Sequence, residues 1–162
     1  MSYHGLKEFT SVTVSADTFS YTIDNLHPCA EYQVDVRAFS SSWGQNKTGD
    51  SYTFTNKTQV ETPGPVIDLK LVRVTEDSFT VGWSSPSLEP QCVDHYQYLY
   101  DGPSVDDCTQ PHVEDGQQQQ AYVGCLRCGS SYKFQVWAVD ALGQNSPPVE
   151  LDNIETWACL DK

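Results

Sequence analysis

Cys125-Leu126-Arg127-Cys128 sets two thiols at C-x-x-C spacing, which suits either half of a zinc site or a dithiol redox couple. Structural zinc takes four ligands, and the sequence offers no second C-x-x-C and no spaced histidine pair. A redox dithiol opens a helix in a thioredoxin-like chain, whereas residues 125–128 fall between two strand-like segments. Structural disulfides are the better account of these thiols. His4, His27, His95 and His112 have neither a Ser or Cys partner nor metal-ligand spacing, so no nucleophilic site and no catalytic residue is expected. Asp94, Asp101, Asp106, Asp107, Glu114 and Asp115 crowd one stretch. They lack the fixed oxygen spacing of a calcium loop and read as a solvated acidic face. No metal and no cofactor is expected.

Six cysteines, Cys29, Cys92, Cys108, Cys125, Cys128 and Cys159, are many for a chain of 162 residues and point to an oxidising compartment. Asn46-Lys47-Thr48 and Asn56-Lys57-Thr58 match the N-glycosylation pattern. Together these features imply an ectodomain or a secreted segment, although Met1-Ser2-Tyr3-His4 opens no signal peptide. A formal charge of −13 disfavours nucleic acid and anionic membrane as partners. No stretch approaches the roughly 20 apolar residues of a membrane span, so direct membrane insertion is not expected.

The elements that position these residues emerge from an internal repeat at an offset of 100 residues. Leu26 to Ala38 lines up with Leu126 to Ala138, and each copy then reaches Gly-Gln-Asn, at 44–46 and at 143–145. Each also ends in Glu-Thr, at 61–62 and at 155–156. Tyr32, Val34, Val36 and Ala38 alternate with Gln33, Asp35 and Arg37, the period-2 pattern of a strand with one buried face.

A Leu followed six residues later by a Tyr and then by an alternating strand resembles the fibronectin type III pattern. There the Leu closes the turn between strands E and F and the Tyr forms the tyrosine corner. The resemblance covers residues 62–158. It implies an all-β, immunoglobulin-like sandwich with strand A at Val66 to Val74, then Phe79, Val81 and Trp83 facing inward from B. Tyr96, Tyr98 and Tyr100 belong to C, Ala121 to Val123 to E, Tyr132 to Ala138 to F, and Pro148 to Trp157 to G. Leu26, Tyr32, Trp83, Leu126 and Tyr132 are the expected core markers. Thr62-Pro63-Gly64-Pro65 reads as a linker. Residues 1–61 are expected to be the end of a module whose strands A, B and most of C are missing, and residues 159–162 a tail or the start of another linker. A partly ordered, non-globular first segment is the expected consequence, with Met1 read as the start of the given chain and not as a biological one.

The resemblance also implies disulfide pairings. Cys108, taken as the start of C′, is expected to meet Cys125 or Cys128. Cys92 in the B–C loop and Cys29 in the first E–F turn lie at poles that meet in a head-to-tail tandem. An inter-module bond Cys29–Cys92 is thus expected, the alternative being a bond of Cys29 inside its own missing half. Cys128 or Cys159 would then pair together or reach a next module. Gln117–Gln120 reads as a mobile loop or a C′–E edge. Trp137 points off the core and Trp43 lies in the first F–G loop, so both are candidates for contact with a protein partner. Packing of Trp137 on strand C is the ordinary alternative. Ser41-Ser42-Trp43-Gly44 is half of a cytokine-receptor Trp-Ser box, without the second half, and Arg-Gly-Asp is absent. The reading is a non-catalytic adhesion, recognition or spacer segment, in the manner of receptor-type phosphatases, adhesion molecules or matrix proteins. Its partners would be a protein and the neighbouring modules of the same chain. The alternative is an accessory module of a secreted or membrane-anchored enzyme whose catalytic domain lies outside this chain.

Overall fold

A computed structural model of the chain describes residues 10–42, 45–103, 105, 114–116 and 118–160. It is all-β, with no α-helix among the described residues. Two strands precede the linker, β1 (Glu31–Ser42) and β2 (Gln45–Lys57), and they pair antiparallel as a sheet of their own. After it come β3 (Ile67–Val74), β4 (Phe79–Ser84), β5 (His95–Asp101), β6 (Glu114–Gly116), β7 (Gln120–Val123), β8 (Ser131–Val139) and β9 (Val149–Glu155). A 3-10 turn at Pro90–Cys92 links β4 to β5.

β3 to β9 form two sheets, ordered β3-β4-β7 and β6-β5-β8-β9. Alternation decides what each strand buries. Tyr96, Tyr98 and Tyr100 of β5 and Tyr132, Phe134, Val136 and Ala138 of β8 turn inward, opposite Phe79, Val81 and Trp83 of β4. Phe134 is the hub of this core. It meets Phe79 edge-on at 6.1 Å, stacks on Tyr98 at 5.2 Å and leans on Trp83 at 6.3 Å. Such aromatic pairs add about 0.5–1.5 kcal/mol each beyond area burial.

β1 and β2 repeat the β8–β9 hairpin, but among the described residues no third strand joins their sheet. Tyr32, Val34 and Val36 stand across from Asn56, Phe54 and Tyr52 on one face, and Gln33, Asp35 and Arg37 across from Thr55, Thr53 and Ser51 on the other. The apolar face stays open, with Val36 57 % and Tyr52 71 % exposed. Leu26 and Tyr32 therefore depart from the core positions expected of them. Leu26 is exposed and Tyr32 half-buried, while Leu126 and Tyr132 are both 2 % exposed.

Residues 10–30 form no strand, although Phe19, Tyr21 and Ile23 alternate. Their counterparts 100 positions on include Ala121 and Val123 of β7, which pair only with β4, as Val81↔Ala121 and Phe79↔Val123. Among the described residues no strand pairs with this segment, and Phe19 is 95 % exposed.

Candidate functional site

The turn before β1 and the turn before β8 are built from the same hydrogen bonds. The His27 amide donates to Tyr32 Oη at 2.9 Å, and the Arg127 amide donates to Tyr132 Oη at 2.8 Å. Thr58 Oγ1 donates to His27 O at 2.7 Å and accepts from the Ala30 amide at 3.0 Å. Thr156 Oγ1 donates to Arg127 O at 2.6 Å and accepts from the Ser130 amide at 3.0 Å. The threonine matching Thr156 is thus Thr58, not Thr62 of the Glu-Thr pair. The first hairpin is two residues longer than the second, with Glu31 across from Lys57 and Ser131 across from Glu155, so the Glu-Thr pairs fall out of register.

Cys29 stands where the second turn has Gly129. Their φ angles are 55° and 59°, a left-handed conformation that costs an L-residue roughly 1–2 kcal/mol. The Cys29 amide is held by Gln59 O at 2.9 Å. Its sulfur is bonded to Cys92, with Cα atoms 5.1 Å apart, so the first hairpin is joined to the loop between β4 and β5. Pairing of Cys29 inside its own half is excluded. Polar contacts reinforce the junction. Gln91 Nε2 donates to Pro28 O at 3.3 Å, and Thr62 Oγ1 donates to Gln144 Oε1 at 2.8 Å. The Gly64 amide donates to Leu88 O at 3.0 Å. The linker does not hang free: Pro63 is fully buried, and a Cβ on Gly64 would meet Leu88 Cβ at 3.0 Å.

Cys128 is bonded to Cys159, which ties the turn before β8 to the chain leaving β9 and excludes the Cys108–Cys128 alternative. Cys125 is also disulfide-bonded; Cys108, its expected partner, lies outside the described residues. The C-x-x-C thiols are therefore both oxidised, and neither is available as a metal ligand. Among the described residues no cluster of three or more metal-ligating side chains is present.

The outer face of β5-β8-β9 carries the second candidate surface. Gln97 stands across from Trp137, Leu99 from Gln135 and Asp101 from Lys133. Trp137 is half-buried and its Nε1 donates to Gln97 Oε1 at 3.2 Å, so the ring lies along β5. Lys133 Nζ sits 2.6 Å from Glu150 and 3.8 Å from Asp152. The hydrogen bond to Glu150 raises the Lys133 pKa above its usual value, and the same bond lowers that of Glu150. Inside the sandwich, burial and then the Tyr132 neighbour push the Tyr100 phenol up. Of the acidic stretch, Asp94 binds His95 Nδ1 at 2.9 Å. Asp106, Asp107, His112 and Gln117 lie outside the described residues, as do His4, Trp43 and the side chains of Glu114 and Asp115. Asn46 pairs with Ser41 and Asn56 with Tyr32 in the first hairpin.

One polar group was not visible in the sequence. Asp140, 1 % exposed, accepts from the amides of Leu142 and Gln144 at 2.8 and 2.9 Å and so shapes the β8–β9 turn at the junction. Its signal is the Asp-x-x-Gly-Gln spacing, an Asx-type turn followed by a glycine at φ 78°.

Comparison with known proteins follows this architecture. No protein-family model matches the chain. Tenascin-N of Mus musculus is 30 % identical over 131 residues, 81 % of this chain and 8 % of that protein. Netrin receptor DCC of Homo sapiens is 26 % identical over 123 residues, 76 % of this chain and 8 % of that protein. The chain thus spans less than a tenth of the length of these relatives. Among solved structures, domains d3-d4 of the rat CD45 extracellular region align over 93 % of this chain and 78 % of that one, with a TM-score of 0.53 and 20 % identity. A human fourth FNIII domain covers 66 % of this chain and 89 % of that one, with a TM-score of 0.53 and 16 % identity.

Proposed function

From the premise that this chain is an extracellular segment of fibronectin type III fold, we propose that it is a non-catalytic recognition and spacer segment of a multidomain adhesion or receptor protein. It divides into a partial module at 1–61, a complete module at 62–158 and a tail or the start of a next linker at 159–162. The observation that carries the reading is the Cys29–Cys92 bond, set beside a linker that is itself packed on the sandwich. Flexible linkers let neighbouring modules reorient. A second covalent connection removes most of that freedom, so the direction in which the second module presents its surface becomes a property of the fold. That surface is the outer face of β5-β8-β9, with Trp137 at its centre, and its partner is another protein. The acidic balance of the chain disfavours polyanions there.

Nuclear spin relaxation tests the spacer reading. In the disulfide-bonded chain the amides of β1–β2 and of the sandwich should share one rotational correlation time, and in C29S/C92S they should separate. Separate tumbling with the bond intact, or joint tumbling without it, removes the reading. Recognition is tested by adhesion of cells to surfaces coated with the chain, where W137A should bind fewer cells. Equal adhesion removes Trp137 from the contact.

A further inference from the structure

We propose that Asn46 carries an N-linked oligosaccharide and that Asn56, which stands in the same sequence pattern, does not. The pattern uses an asparagine amide and a hydroxyl two residues on, both accessible in an extended segment. At 56–58 that hydroxyl is occupied: Thr58 Oγ1 donates to His27 O at 2.7 Å and accepts from the Ala30 amide at 3.0 Å. Thr156 makes the same contacts in the second repeat, two residues after an isoleucine. Threonine at this position therefore serves the corner, whatever residue stands two places before it, and the match at 56–58 is a by-product of the fold.

The asparagine at 56 is also wrongly placed. Asn56 stands across from Tyr32 as Ile154 stands across from Tyr132, and Ile154 is 2 % exposed in the core. An oligosaccharide on Asn56 would project from the face that carries Val34 and Phe54 and would block anything from covering it. The amide oxygen of Asn56 already accepts from the Lys57 amide at 2.9 Å.

Asn46-Lys47-Thr48 differs at its hydroxyl and in its place along the hairpin. Lys47 and Thr48 are exposed, and among the described residues nothing engages the Thr48 hydroxyl. Asn46 pairs with Ser41 near the end of the hairpin remote from Glu31↔Lys57 and the corner. Carbohydrate there leaves the Cys29–Cys92 junction and the outer face of the sandwich bare, which keeps both free for the roles proposed above.

The test is site occupancy in the 162-residue chain, directed through the secretory pathway of a eukaryotic host. Enzymatic release of N-glycans in heavy-oxygen water marks each formerly occupied asparagine, and mass spectrometry of the peptides locates it. The expected result is label at Asn46 alone, with a mobility shift of one oligosaccharide that N46Q abolishes and N56Q leaves intact. Label at Asn56, or none at Asn46, overturns the proposal. Should export fail, the cell-retained pool is mapped in the same way and read by the same criterion. Because occupancy is read chemically, it does not depend on whether the junction is stiff or Trp137 binds a partner.

Discussion

Removing a single hydroxyl from each of the two tyrosine corners should separate a closed corner from an open one. Tyr132 is 2 % exposed, and its Oη accepts from the Arg127 amide at 2.8 Å while donating to Pro103 O at 2.5 Å. Y132F keeps the ring and its 6.0 Å contact with Phe79, so no cavity is created. What remains is a pair of part-buried backbone groups without their partner, whose cost falls toward the lower end of the about 1–3 kcal/mol of an unsatisfied buried group. With a urea slope near 1–3 kcal/mol per molar for a small domain, the midpoint should fall by ~1 M. The twin substitution Y32F removes one bond, from the His27 amide at 2.9 Å, at a half-buried ring where water can replace the hydroxyl. Its effect should stay within about 0.5 kcal/mol, as for surface changes generally. The assay is urea unfolding of the disulfide-intact chain followed by tryptophan fluorescence, to which Trp83 in the core contributes. Equal midpoint shifts for the two variants would refute the argument, because the twins differ in burial and in the bond to Pro103 O, which among the described residues Tyr132 alone makes.

Phe134 and its counterpart Val34 extend the same contrast to packing. F134A should lose about 3–5 kcal/mol, since Phe134 is fully buried among Phe79, Tyr98 and Trp83. V34A should stay below about 1 kcal/mol on the open face, and thermal unfolding checks both. For pH, the bond to Lys133 lowers the Glu150 pKa from its usual 4.5, so its stabilisation is present above the unfolded-state value and is lost as pH falls through the lower folded value. The acid limb of the stability profile should therefore flatten in E150Q, by an amount that shrinks with added salt because the pair is solvent-exposed. An unchanged acid limb would remove Glu150 from the account.

Strands with a buried partner were legible residue by residue. Phe-x-Val-x-Trp, the Tyr-x-Tyr-x-Tyr run and the alternation after Tyr132 each impose one face on the core, and β4, β5 and β8 fall within a residue or so of the expected limits. Alternation cannot report whether the facing sheet exists. Phe19, Tyr21 and Ile23 have the pattern of β7 and form no strand, because a strand is completed by its neighbour and not by its own side chains. The linker was read as punctuation from its prolines; its burial depends on Leu88, which no local pattern connects to Gly64. Trp137 shows the limit at the candidate site. Parity turns it off the core, but only the register that sets Gln97 across from it fixes how the ring lies.

The disulfides also determine how the segment would carry load. When a chain is pulled from its ends, tension follows the shortest covalent route, and a cross-link shields every residue inside the loop it closes. Cys29–Cys92 closes off 63 positions and Cys128–Cys159 another 31, so β1 to β4 and β8 to β9 sit in shielded loops. Between Cys92 and Cys128, where Cys125 carries a further disulfide, lies the part of the sandwich outside those two loops. At roughly 3.3–3.6 Å of reach per extended residue, that short stretch sets how far the module can yield. While its disulfides stay oxidised, the segment can lengthen within the sandwich only through the residues outside the closed loops, and once they are reduced the shielded strands can extend as well.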